Sequence, residues 1–132
     1  MTNSAIIEKF IVGRVEPHIY AFETGTVPNY LKIGDTYRPV ETRLNEWRRY
    51  FVDLQKRYDE PATAGDEYFR DLSVHEYIIR EKGCKRLEKI TLPNIPYYSN
   101  EFFENATTDD VNEAIQDIRK SATDKDGRYK LY

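Results

Sequence analysis

Two short apolar runs near the start of the chain are separated by turn chemistry. His18-Ile19-Tyr20-Ala21-Phe22-Glu23 is rich in β-branched and aromatic residues, Thr24 to Asn29 contains Gly25 and Pro28, and Tyr30-Leu31-Lys32-Ile33-Gly34 follows. This pattern predicts two antiparallel strands joined by a long loop. Pro39 suits the first position of a helix, where its missing N–H is harmless. From there Val40, Leu44, Trp47 and Phe51 recur at i, i+4, i+7 and i+11, the apolar face of a helix. Residues 53–63, with Leu54 and Tyr58, predict a third strand. Gly65-Asp66 opens a second helix, 67–81, that Gly83 ends. Pro93 and Pro96 make 91–96 a loop, and Tyr97 to Phe103 is aromatic enough for a strand or an extended segment. Thr107 or Thr108 caps a last helix that buries Val111, Ala114, Ile115 and Ile118. A short helix is expected at 3–12, upstream of these elements. The predicted fold class is α+β, a small, mainly antiparallel three-stranded sheet flanked by helices, as one domain over 1–132.

Composition narrows the classes of function. With 132 residues, 39% hydrophobic, 33% charged and 14% aromatic, the chain suits a single folded core and not a disordered tail. No apolar run approaches the ~20 residues of a membrane span, and Met1 to Gly13 lacks the pattern of a secretory signal. The lone Cys84 cannot make an internal disulfide or a multi-cysteine zinc site. A cytoplasmic protein without a membrane partner is expected. The apolar, β-prone end, Gly127 to Tyr132, is expected of a domain cut from something longer. A net charge of −3 argues against a uniformly basic coat. Between Arg38 and Arg57, however, six basic residues face three acidic ones, a local polyanion-facing side or an ordinary solvated helix.

Phosphate-loop, dinucleotide and serine-elbow motifs are absent. The remaining polar residues sit on apolar elements. Asp71 and His75 lie four apart on one helical face, flanked by Leu72, Ile79, Val74 and Ile78, so both should point inward. An Asp–His hydrogen bond that staples the helix is the alternative to a functional pair. Arg43 borders the Leu44 stripe, as a functional or a surface arginine. Lys32, by alternation, faces opposite to Leu31 and Ile33 and shares a side with Tyr30, where it could also guard a sheet edge. Trp47 reads as packing, and Glu101 precedes Phe102-Phe103 as a functional or a simple surface acid.

Together these positions resemble the GIY-YIG nuclease superfamily, in its phage-type branch of restriction and helicase-associated proteins. His18-Ile19-Tyr20 and Lys32-Ile33-Gly34 stand where its two signatures would lie on the hairpin, and Arg43 follows on the next helix. Asp71 with His75, then Glu101-Phe102-Phe103, complete a similarity that runs from about residue 17 to 104. His18 stands for the first glycine, Lys32 for the second tyrosine and Asp71 for the usual glutamate. The resemblance implies a metal-dependent DNA endonuclease of a restriction or DNA-processing system. A catalytically silent DNA-binding module on the same scaffold is the alternative.

On that resemblance one Mg²⁺ or Mn²⁺ would sit on Asp71, with Glu101 or Glu76 as substitute acids, and bind the scissile phosphate. Arg43 would donate to a nonbridging oxygen, Tyr20 would orient the attacking water and Lys32 would act as general base. His75 would contact a phosphate or hold Asp71. The implied partner is double-stranded DNA. A helicase or specificity domain in the same or a partner chain, or a homodimer, would be needed to cut both strands.

Overall fold

The computed structural model describes residues 16–122 apart from 66, 90, 92 and 93. The expected helix at 3–12 and the tail at 127–132 lie outside the described residues. The hairpin forms as expected, from β1 (His18–Glu23) and β2 (Tyr30–Thr36). Its register sets Tyr20 opposite Gly34, Ala21 opposite Ile33 and Phe22 opposite Lys32. β3 (Gln55–Pro61) pairs antiparallel with β1 as a polar outer strand. The expected three strands are too few. Lys85–Arg86 (β6) and Phe102–Glu104 (β7) extend the sheet to five antiparallel strands in the order β3-β1-β2-β7-β6, and a separate ribbon pairs Thr63–Ala64 (β4) with Glu67–Tyr68 (β5). Strands of two or three residues carry no readable alternation.

The two added strands make β2 the centre of the sheet, and helices cover both faces. Ile19, Ala21, Leu31, Ile33 and Phe103 pack under α2 (Asp71–Lys82) and α3 (Thr108–Ala122). Tyr20, Phe22 and Phe102 pack under α1 (Val40–Trp47) and the following Phe51. Lys32 does face away from Leu31 and Ile33, but that side is core rather than solvent, and the side chain is 0% exposed.

Helix boundaries shift for local reasons. α1 ends at Trp47, yet the Phe51 amide still bonds the Trp47 carbonyl and Phe51 stays buried. α2 begins at Asp71 because Glu67–Tyr68 is drawn into the ribbon. Its first amide is capped from another element: Asp35 Oδ2 accepts from the Asp71 N–H at 2.8 Å. Gly83, at φ 69°, ends the helix in the left-handed conformation that glycine adopts without strain. Leu72, expected to flank an inward face, is 53% exposed. Thr107 and Asp110 cap α3 reciprocally through Oγ1 and Oδ2, and Val111, Ala114, Ile115 and Ile118 are buried as their spacing requires. Among the described residues no helix is long and apolar enough to cross a membrane.

Phe102 meets Phe22 and Phe51 edge-on, at 6.1 and 5.4 Å between ring centroids. Phe102→Ala is expected to lose about 3–5 kcal/mol of unfolding free energy in urea titrations, and a loss below about 1 kcal/mol would mean that this aromatic layer does not hold α1 to the sheet.

Candidate functional site

A lysine at the centre of a sheet must either lose its charge or find an anion. Lys32 finds Glu101: its Nζ donates to Oε1 at 2.5 Å. Aromatic rings close the remaining directions, with Trp47 at 4.1 Å, Tyr20 at 5.4 Å and Phe22 at 5.7 Å from the ammonium to the ring centroid. Burial pulls the amine pKa below the ordinary lysine value, against the opposing pull of Glu101.

Glu101 reaches the lysine because β7 and β2 part company there. The Ile33 amide bonds the Glu101 carbonyl, but the Glu101 amide turns to Ser99 Oγ. His75 Nε2 takes the Ile33 carbonyl at 2.8 Å. The carbonyl can only accept, so Nε2 carries the proton, and Nδ1 faces an Arg86 Nη2 donor at 3.4 Å. Both ring nitrogens are therefore engaged by protein, and the nearest Asp71 oxygen is 3.9 Å away. Burial keeps the imidazole neutral and lowers its pKa to about 4.

Asp71 and Glu101 are hydrogen-bonded carboxyls. Burial first, then Asp35 and Glu101, push Asp71 up to about 8. Glu101 stays below the usual range, because Lys32 and the bond to Asp71 outweigh its burial. Arg70 bonds Asp35 at 2.8 Å, so the acids Asp35, Asp71 and Glu101 stand against the cations Lys32 and Arg70. Among the described residues no three histidine, cysteine or acidic side chains form a ready metal cage. The Asp71–Glu101 pair shares a proton as it stands, and with that proton displaced its two carboxylates fit a hard cation that draws its remaining ligands from water and phosphate. The substitute acid Glu76 lies elsewhere, half exposed against Arg80.

The Tyr20 oxygen accepts from Trp47 Nε1 at 2.8 Å and is also bonded by Arg43. Burial, then the Glu101 charge, raises its pKa, so it is a neutral phenol whose proton remains available for donation. Gly34, across the strand pair, makes this packing possible: a Cβ there would lie 2.7 Å from the Tyr20 oxygen and 3.1 Å from Glu101 Oε1. Arg43 lies 4.8 Å from the Trp47 ring centroid and bonds Glu46 at 2.8 Å. Bonds from Arg38 and Arg43 draw the Glu46 carboxyl down to about 2.

Arg43, Trp47, Tyr97, Tyr98 and Glu101 border an open hollow of about 380 Å³. Tyr20 and Lys32 lie behind it, 1% and 0% exposed. A hollow of about 390 Å³ at the far end of β1 is walled by groups that bond one another, Thr24 with Asp53 and Arg57 with Glu23. The basic stretch is largely neutralised, since Arg38, Arg43, Arg48, Lys56 and Arg57 all pair with acids. The structure thus brings together five of the six candidates around one site, and places His75 beside it as a strand-completing group. Gly34, Asp35 and the polar role of Trp47 were missed. Only the register opposite Tyr20 gives Gly34 its meaning, while Asp35 and Trp47 depend on helices folded against them.

A nuclease-like or DNA-binding domain is what the family match supports. More particularly, the chain belongs to the T5orf172 domain family, whose model matches residues 17–119. No curated protein and no solved structure matches the chain. The family match corrects the GIY-YIG resemblance, because no model of that superfamily matches. The short signatures misled for a physical reason: a tyrosine facing a strand glycine, followed by a helix arginine, meets packing needs of the hairpin itself. Roles carried over from that resemblance fall with it, and geometry must supply them.

Gly34→Ala is expected to displace the phenol, lower stability by about 1–3 kcal/mol and shift the emission of the chain's single tryptophan. Unchanged melting and emission would show that the contact is slack. A second expectation concerns pH. As pH falls from 6.5 toward 4, the unfolded chain binds a proton at His75 that the folded chain refuses, so stability is lost across that window. In urea titrations His75→Gln, which can still donate to Ile33, should lose less stability than the native protein between pH 6.5 and 4.5; equal losses would contradict a neutral buried ring.

Proposed function

We propose that this domain is a divalent-metal-dependent DNA endonuclease that hydrolyses one phosphodiester bond per site in double-stranded DNA. The observation that supports this most is the sharing of one indole by two cations. Lys32 and Arg43 lie 4.1 and 4.8 Å from the Trp47 ring centroid, with the Asp71–Glu101 pair alongside. Hydrolysis of a phosphodiester needs an oriented water, a place for its proton and donors for the negative phosphoryl oxygens.

Arg43, at the mouth of the hollow, exchanges Glu46 for a nonbridging phosphate oxygen, which its planar fork suits. Tyr20 keeps its proton and donates it, because Trp47 and Arg43 already occupy its oxygen as donors. Glu101 faces the hollow and takes the proton released by the attacking water, and the Lys32 ammonium behind it, hydrogen-bonded to that carboxylate, stabilises the charge there. Asp71 and Glu101 would hold one Mg²⁺ or Mn²⁺, which would supply charge neutralisation at the phosphate and the departing oxygen. His75 positions this edge of the sheet without touching substrate.

One observation favours a second reading, a DNA-binding module without catalysis: Trp47 and Glu101 seal the Lys32 amine from solvent. A plasmid-nicking assay with Mg²⁺ or Mn²⁺ against EDTA separates the two. The native protein is expected to nick only with metal. Lys32→Met, whose side chain suits the aromatic box, should fold and lose about 10²–10⁴-fold in rate. Arg43→Ala should lose about 10²–10³-fold, with Tyr20→Phe also impaired. DNA binding that weakens with salt but brings no metal-dependent nicking would establish the binding module instead.

A further inference from the structure

Beside the hollow at Arg43 the surface carries an uncommon grouping. Tyr50 and Tyr97 are 41% and 43% exposed, and their rings lie 4.6 Å apart with 34° between the planes. Tyr97 also meets the Trp47 edge at 5.5 Å. With Arg43, Glu46, Trp47 and Arg49 these rings wall a second hollow of about 240 Å³ that shares Arg43, Trp47 and Tyr97 with the first. Arg49 makes no ion pair among the described residues, unlike the arginines around it. Exposed rings beside an unneutralised guanidinium and a phosphate-facing arginine are the parts that bind one nucleotide: a stacking surface for the base and cations for its backbone.

We propose that Tyr50 and Tyr97, with Arg49, form a shelf for one unpaired nucleobase next to the phosphate held at Arg43. The preferred substrate is then duplex DNA with a locally unpaired strand, at a flap, fork or gap edge. This inference rests on the DNA reading above and narrows it. The two rings already touch, so the base lies on their outer face and not between them. A base inside an intact duplex is stacked on both sides and has no face to offer. A mere lid over Trp47 would equally bring Tyr97 against the indole, but it gives no reason for Tyr50 to lie half-exposed beside an unpaired arginine.

The test uses the full chain in EDTA, with fluorescence anisotropy on a flap-bearing duplex and on a blunt duplex of matching sequence. A 2-aminopurine sits at the first unpaired position of the flap. The native protein should favour the flap by roughly tenfold and quench the 2-aminopurine. Tyr50→Ala should remove that preference and the quenching while leaving blunt-duplex affinity within about twofold, and Tyr97→Ala should likewise abolish the quenching; Tyr50→Phe and Tyr97→Phe, which keep the stacking face, should retain both. Equal native affinity for the two DNAs, or equal loss on both in Tyr50→Ala, overturns the shelf. If metal-dependent nicking of plain duplex persists in that case, the endonuclease reading stands and the shelf alone falls. Absence of DNA binding at low salt overturns both.

Discussion

A buried ammonium on the central strand organises this domain. Lys32 has no route to water, so an anion has to come to it, and Glu101 is that anion. For Glu101 to turn inward, β7 must leave β2 at that residue, which strands the Ile33 carbonyl. His75 accepts that task from α2, and doing so places Asp71, one turn earlier, against Glu101. The sheet edge, the helix start and the carboxyl pair therefore follow from accommodating one charge.

Trp47 is the second organiser. Its ring receives both the lysine and the arginine, its N–H fixes the Tyr20 oxygen, and its edge supports Tyr97. One side chain thus joins the interior polar cluster to the two surface hollows. Gly34 is the counterpart that lets the phenol approach the strand closely enough to receive those bonds. Aromatic packing and polar positioning are the same contacts here, so the layer that stabilises α1 on the sheet also aligns the candidate chemistry.

Legibility differed between elements for physical reasons. The hairpin, α1 and α3 announce themselves because each buries one face over several residues, and the resulting period is printed in residue type. The strands β4 to β6 do not, and β7 shows only as the end of an aromatic stretch, since two or three residues cannot express a period and are recruited by the backbone groups of their neighbours. The start of α2 was misplaced for a related reason: its cap is Asp35, thirty-six positions earlier in the chain. At the site, Asp71 and His75 were legible as polar residues turned inward among apolar ones. The same pattern could not tell that the imidazole serves a strand carbonyl, nor could short signatures distinguish one nuclease-like family from another.

From the order of residues alone came the α+β class, the hairpin, the apolar faces of the helices and the six polar side chains on otherwise apolar elements. Those are consequences of local periodicity and of the free energy of burying a polar group, both of which act within a few residues. Tertiary structure decided the five-strand order, the sealing of Lys32 and the pairing of each polar group. These outcomes depend on which surfaces meet after the chain has folded back, and on charges that acquire partners only when segments tens of residues apart come within hydrogen-bonding distance.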